Sequence, residues 1–402
     1  MCSEQTFSRP MPSSLDDLPR INRWLVSALA RVHHGKLMIY LDGKHFECGH
    51  DDSMQAMIRI HRPVAMAKRG LLRGDLGFAE SYIAGDWSTD DLSALLHLLL
   101  RNRENIGKHM YGQKLLRMGT AMLHKLRKNT LNGSRKNIEY HYDLGNDFYE
   151  TWLDKSMTYS SALFDGTEDL EEAQTYKYQR ILRELNAKPN QEILEIGCGW
   201  GGFAEEAVKA GHRVHGITLS KEQLEYAQER LACYPERAEF ELRDYRHLDQ
   251  QYDHIVSIEM FEAVGDQYWD AYFEILEKSL KPGGKAVLQI ITIDDQHFES
   301  YRNRPDFIQR YIFPGGLLPS PEKLQQQIDK TCLQCTNTFS FGKDYAKTLV
   351  EWDRKFVLQQ AKLLQLGYDD KFFRMWRYYL AYCEAGFNEQ RIDVVQWTLE
   401  KP

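Results

Sequence analysis

The stretch EILEIGCGWGG, residues 192–202, decides the fold. An apolar run (Ile193, Leu194, Ile196) leads into four glycines within residues 197–202. They spell G-x-G-x-x-G at Gly197, Gly199 and Gly202, and the segment that follows, FAEEAVKAG, reads as a helix. Strand, glycine turn and helix in that order open a doubly wound α/β sheet that holds a ligand at the turn. A dinucleotide at this turn calls for an acid about 20 residues on, to bind the ribose hydroxyls. That place reads HGITLS, residues 215–220, and has no acid. The distinctive acid is Glu195, before the turn, where a carboxylate suits a ligand with a positive amino group.

Working outward, EILEI, RVHGI, AEFELRDY, YDHIVSI and KAVLQII are strand-like runs between residues 192 and 291. Helical stretches such as SKEQLEYAQERLA and YWDAYFEILEKSL separate them, and Lys281, Pro282, Gly283 and Gly284 predict a turn before the last run. This alternation predicts a doubly wound parallel sheet. S-adenosylmethionine carries an amino group and a sulfonium but no phosphate, and E-x-G-x-G after a strand resembles the first motif of class I methyltransferases. The turn therefore reads as a methyl-donor site.

The remaining composition sets bounds. At 402 residues the chain is too long for one ordinary core. A net charge of −7 and 43% apolar residues describe a globular protein without a global nucleic-acid footprint. No apolar run reaches the length of a membrane span, and the first residues lack a secretion signal. The seven cysteines are scattered, which fits free thiols in a reducing, cytoplasmic setting. Cys332 and Cys335 form a lone C-x-x-C without a second pair or histidines nearby, so no metal is expected.

The chain divides, on this reading, into a disordered leader (1–20), a smaller N-terminal α/β domain (21–105), a basic linker helix (106–138) and a catalytic domain (139–402). Thr89 and the two acids after it cap a helix over LSALLHLLL. Residues 107–138 contain no Asp or Glu. On a helical wheel Lys114, Arg117, Lys125 and Lys128 share one face, and Leu115, Met118, Met122, Leu123 and Leu126 another. Such a helix either lies on an anionic membrane surface or packs on its own protein with its lysines in water. Residues 298–387 hold 18 Phe, Tyr or Trp, a density well above the 12% of the whole chain. This insert either fills a core or lines a pocket for a long apolar substrate. RMWRYYLAYCEAGF reads as a buried helix ending near Gly386, and CTNTFSFG and DVVQWTLEK as closing strands.

Several stretches together resemble the cyclopropane fatty acid synthases: YHYDLGNDFYETWLD (140–154), MTYSSALF (157–164), ILEIGCGWGG, GITLSKEQ (216–223), MFEAVG (260–265), YIFPGGLLPS (311–320), FGKDYAKTL (341–349) and RMWRYYLAYCEAGF (374–387). FAESYIAGDW is similar to the N-terminal domain of the bacterial members. The resemblance implies methyl transfer from S-adenosylmethionine to a cis double bond in a phospholipid acyl chain, then proton loss and ring closure, with a bound bicarbonate taking the proton. It implies that Glu195, Gly197, Gly199, Thr218, Leu219 and Gln223 contact the donor, that Asp244 and Tyr245 flank the adenine, and that Tyr159 presents an aromatic face to the sulfonium. A core tyrosine is the plainer reading of Tyr159. Glu262, His141 and Tyr345 match the bicarbonate site.

The sequence departs from the best-known members at Ser161, Gln289 and Ala263, where they have a cysteine and two histidines. Ser161 and Gln289 belong to the bicarbonate site. Gln289 does not become a cation, so an anion is less favoured beside it, whereas Ser161 matters little if its contact is through the backbone. Methyl transfer is then secure, and proton loss from another carbon, giving a methyl- or methylene-branched chain, is the alternative. A lipid-binding relative without catalysis and a small-molecule methyltransferase are the competing classes. The expected setting is peripheral, on the inner membrane face, with a homodimer implied by the family alone.

Overall fold

The computed structural model describes residues 15, 18–110 and 144–402. The leader and most of the predicted basic helix lie outside the described residues, as does His141. The chain forms two compact units that divide at Arg117 and Met118.

The first unit holds α1 (Arg20–Leu29), β1 (Lys36–Leu41), β2 (Lys44–Cys48), β3 (Gln55–Ile60), α2 (Pro63–Arg73), α3 (Asp75–Ile83), β4 (Trp87–Ser88), α4 (Leu92–Arg101) and α5 (Arg103–Met110). Its sheet has the order β2-β1-β3-β4, with β1 and β3 parallel and the other pairs antiparallel. Strict alternation in KLMIYL buries Leu37, Ile39 and Leu41 on one face. Helix α4 starts as expected, but its cap is Asp91, whose carboxylate accepts from Ala94 N–H at 2.9 Å. Thr89 instead accepts from the Asp91 N–H.

The second unit begins with α6 (Asn146–Glu150) and α7 (Leu170–Leu185). Then β5 (Glu192–Ile196), α8 (Gly202–Lys209), β6 (Arg213–Thr218), α9 (Lys221–Arg230), β7 (Ala238–Leu242), β8 (Tyr252–Ile258), α10 (Trp269–Ser279) and β9 (Leu280–Ile293) alternate. The aromatic-rich part contributes α11 (Asp295–Arg302), α12 (Pro321–Ile328), β10 (Gln334–Ser340), α13 (Gly342–Leu358), α14 (Gln360–Gln365), α15 (Asp370–Asn388) and β11 (Ile392–Glu400). The sheet order is β10-β11-β9-β8-β5-β6-β7. The five strands from β5 to β9 are mutually parallel, and β11 and β10 close the edge antiparallel. Lys281, Pro282, Gly283 and Gly284 fall within β9 rather than ahead of it, with Gly283 at φ +74°.

Both faces of this sheet are covered, which is why its strands read as apolar runs without strict alternation. Ile193 packs with α7 and α8 (Ile181, Phe203, Val208), and its neighbour Leu194 packs with α10 (Phe273, Leu276). Each such side chain contributes about 1.5–3 kcal/mol by leaving water. From β5 the chain winds outward to β7, then returns across the sheet to β8 on the other side of β5. The order reverses between β5 and β8, and ligands of open α/β sheets sit at such a switch point, beyond the strand ends.

Candidate active site

Glu195 stands near the end of β5, 3% exposed. The turn behind it has Gly197, Gly199 and Gly201 at φ +82°, +52° and +81°, a region that glycine enters without steric cost. Gly202 opens α8 for a different reason: a Cβ there would lie 2.8 Å from the Tyr178 hydroxyl. Burial pushes the Glu195 carboxyl well above the usual range, against the pull of Arg230 and Lys177. Its Oε2 is buried and has no hydrogen-bond partner in the protein. A buried acceptor without a donor is costly, and a ligand ammonium relieves it.

The cavity in front of this turn is lined by Glu195, Gly197 and Gly199, by Thr218, Leu219 and Gln223 after β6, and by Asp244 and Tyr245 after β7. The Thr218 hydroxyl donates to Gln223 Oε1 at 2.9 Å, which leaves the Gln223 NH2 as the donor side of that amide. Burial raises the Asp244 carboxyl, but its paired bonds with Arg246 (2.9 and 2.6 Å) outweigh this and hold it below the ordinary value. Tyr159 lines the same cavity. Its ring lies 5.3 Å from those of Tyr149 and Trp352, and its hydroxyl is 2.8 Å from that of Tyr379. It is thus both packed by aromatics and open to the donor cavity.

A second acid reaches this cavity from the far side of the switch point. Glu259 follows the end of β8 and lines the cavity with Glu195. Its Oε1 accepts from the Ser161 backbone N–H at 2.9 Å and from Gln289 Nε2 at 2.7 Å. Its Oε2 accepts from the Tyr345 hydroxyl at 2.7 Å. Ser161 contributes only its N–H, since its hydroxyl donates to Ala162 O. Gln289 is itself oriented: its Oε1 accepts from Gln396 Nε2, and Gln396 Oε1 accepts from Arg180, both at 3.0 Å. Burial raises the Glu259 carboxyl, opposed by the Ser161 N–H, Lys177, Tyr345 and Gln289. Lys177 is fully buried, donates to Ser160 Oγ and Gln174 Oε1, and is pushed down by burial.

Glu262 does not join this set. Its Oε1 accepts from Ile291 N–H, and its buried Oε2 has no hydrogen bond. Burial and the neighbouring Glu259 push it up to about 8, so it is a neutral acid at pH 7. Sequence reasoning assigned the anion site to Glu262, with Ser161, Gln289 and Tyr345. The structure brings the last three together around Glu259. The bicarbonate expected there does not fit: a carboxylate of the chain already takes the three donors, and a second buried anion beside it would be repelled. Among the described residues no cluster fit for a metal ion occurs, and Cys332 and Cys335 are free thiols.

The family described as mycolic acid cyclopropane synthetase matches residues 129–397. The chain is 37% identical to the tuberculostearic acid methyltransferase of Mycobacterium tuberculosis, over 90% of this chain and 87% of that one. It is also 37% identical to the cyclopropane-fatty-acyl-phospholipid synthase of Escherichia coli, over 86% and 87%. A crystal structure of a mycolic acid cyclopropane synthase complexed with SAH and CTAB aligns with a TM-score of 0.62 and 32% identity, covering 66% of this chain and 98% of that one. The chain belongs to the mycolic acid cyclopropane synthetase family. It is a methyltransferase with a class I fold that uses S-adenosylmethionine, and Glu195 with its orphaned oxygen fits the donor's amino group.

Within the family reading, Glu259 is the residue that the sequence analysis missed. The motif MFEAVG drew attention to Glu262, and Glu259 stands one position before it. A signal was present: both Glu195 and Glu259 are acids at the C-terminal ends of apolar runs, EILEI and YDHIVSI. In a doubly wound sheet such ends face the ligand crevice.

Proposed function

We propose that the protein is a cyclopropane-fatty-acyl-phospholipid synthase-type enzyme acting on cis-unsaturated phospholipid chains. The observation that carries this is one cavity lined by two acids in opposite surroundings, buried Glu195 with an empty acceptor and half-buried Glu259 with a full set of donors. When bound, S-adenosylmethionine supplies a methyl group made electrophilic by the sulfonium. Glu195 would bind its amino group, Gln223 and Thr218 its ribose, and Asp244 and Tyr245 its adenine. Tyr159 would place an aromatic face against the positive sulfur. Glu262, held neutral by burial, keeps a second negative charge away from Glu259. The acyl chain is expected to enter along the aromatic-rich part, among Trp352, Tyr379 and Phe313.

The test is the structure of the product. Methyl-labelled donor and vesicles of cis-unsaturated phospholipid should yield labelled acyl chains with upfield ring protons in NMR. A second reading, a methyl- or methylene-branched chain, draws support from the similarity to the tuberculostearic acid methyltransferase. Vinyl or branched-methyl signals would establish it instead. Because no helix among the described residues is long and apolar enough to cross a membrane, access to phospholipid on this reading is peripheral, at the anionic inner face of the membrane. The basic segment 106–138 is the proposed contact, and vesicle co-sedimentation tests it. Cytoplasmic location and a homodimeric state belong to the same proposal and rest on the family resemblance.

A further inference from the structure

We infer that Glu259 is a built-in proton acceptor, a carboxylate of the chain itself standing where the family resemblance places an exchangeable bicarbonate. The inference rests on the proposed methyl transfer to an alkene. Three separate parts of the chain converge on this one side chain: the loop at Ser161, strand β9 at Gln289 and helix α13 at Tyr345. A fourth layer fixes their orientation, since Gln396 and Arg180 behind Gln289 leave its NH2 pointing at Glu259. Tyr345 is held by the ring of Phe387, stacked at 4.5 Å. Such convergence preorganises a negative charge in a place that burial would otherwise keep neutral.

The backbone supplies an independent observation. Glu259 has φ +51°, in the left-handed region that disfavours side chains other than glycine. The chain tolerates strain to put a carboxylate here, as happens at functional sites. The side chain also lines the donor cavity, so it is not merely a buried structural acid.

The chemistry balances with this one group. The alkene π pair forms the bond to the methyl carbon as the carbon–sulfur bond breaks, and its electrons return to sulfur. A carbocation remains on the adjacent acyl carbon. When a C–H bond of the new methyl breaks, its electron pair closes the third side of the ring and its proton bonds to Glu259. Oε2 is the receiving oxygen, because it accepts from Tyr345 alone, while Oε1 already takes two donors. Release of the proton to water after turnover restores the carboxylate.

The experiment uses the full chain, methyl-labelled donor and cis-unsaturated phospholipid vesicles, in buffer stripped of carbon dioxide and again with added bicarbonate. Wild-type turnover should be the same in both. Glu259→Gly and Glu259→Gln should lose turnover by about a hundredfold or more, the scale of a removed general base, while donor affinity by titration stays close to wild type. Glu259→Gly relieves the backbone strain and opens the anion position, so bicarbonate should restore part of its rate. Glu259→Gln fills the position and should gain nothing. If Glu259→Gly fails to bind the donor, the isosteric Glu259→Gln provides the reading. A bicarbonate requirement in the wild type, or full turnover by either variant in its absence, overturns the role of Glu259 alone. Absence of label in lipid with the wild type overturns the proposed function and this role with it.

Discussion

The two acids of the cavity differ in what surrounds them. Both stand near the ends of neighbouring strands and both are raised by burial, although Glu195 is fully buried and Glu259 only half-buried. Glu195 keeps an oxygen without a partner, whereas Glu259 has donors on both oxygens. An unsatisfied buried acid gains most from a cation brought by a ligand. A fully caged acid gains little from a ligand, but its donors oppose the effect of burial and aim the carboxylate. On the proposed reading, the same residue type on neighbouring strands serves binding in one place and proton transfer in the other.

The sharpest way to break this comparison is Glu195→Gln. Removing one partner of a buried charged pair costs about 2–5 kcal/mol, so donor affinity should fall by one to several orders of magnitude in a calorimetric titration. Unchanged affinity would mean that Glu195 is only a structural acid. In the wild type the same titration should release protons, because burial raises the Glu195 carboxyl and a bound ammonium favours its ionised form. The observed heat should then vary with the ionisation enthalpy of the buffer.

Glu262 tests the neutral acid beside Glu259. Its folded value, about 8, lies above the ordinary carboxyl value of 4.5. Between those values the folded state holds a proton that the unfolded state has lost, so its contribution is fully present below about pH 4.5 and is lost as pH rises through about 8. Glu262→Gln removes that dependence. Relative to wild type, the variant should gain stability on going from pH 5 to pH 9, on the order of a few kcal/mol. Parallel pH–stability curves from thermal unfolding would show that Glu262 is ionised in the native protein.

Tyr345→Phe removes one donor from Glu259. Hydrogen bonds to charged groups contribute about 1.5–3 kcal/mol, so kcat should fall roughly tenfold to a hundredfold with little change in donor KM. Tyr345 favours the ionised form of Glu259. The acid limb of the rate profile should therefore move to higher pH in the variant. A fall in donor affinity without a change in kcat would place Tyr345 on the Glu195 side of the comparison. The smallest effect is expected at Gly202→Ala, where the added methyl meets the Tyr178 hydroxyl. Overpacking of this kind costs about 1–3 kcal/mol, visible as a lower Tm.

Much of this architecture is legible without coordinates, because it repeats locally. The strand runs, the helices between them and the glycine turn each depend on residues a few positions apart. Glu195 is legible that way, whereas Thr218, Gln223, Asp244 and Tyr245 follow from the family resemblance; all five line one cavity. Helix α15 was placed to within two residues of its end, Asn388. The turn at residues 281–284 lies inside β9 as an irregularity: β8 pairs with Leu280 and again from Lys285, and the four residues between them are skipped.

The cage around Glu259 had no such local signature. Its donors come from positions 98, 30 and 86 residues away along the chain. Sequence by itself determined the sheet and the donor turn, because hydrophobic period and glycine spacing are properties of neighbours, and it pointed to the family through the resemblance of several motifs in order. Only the tertiary structure decided which of two acids, three residues apart in SIEMFEAVG, meets Ser161, Gln289 and Tyr345. That choice depends on a left-handed turn at Glu259 and on where three distant elements pack, and neither is encoded in a short stretch of sequence.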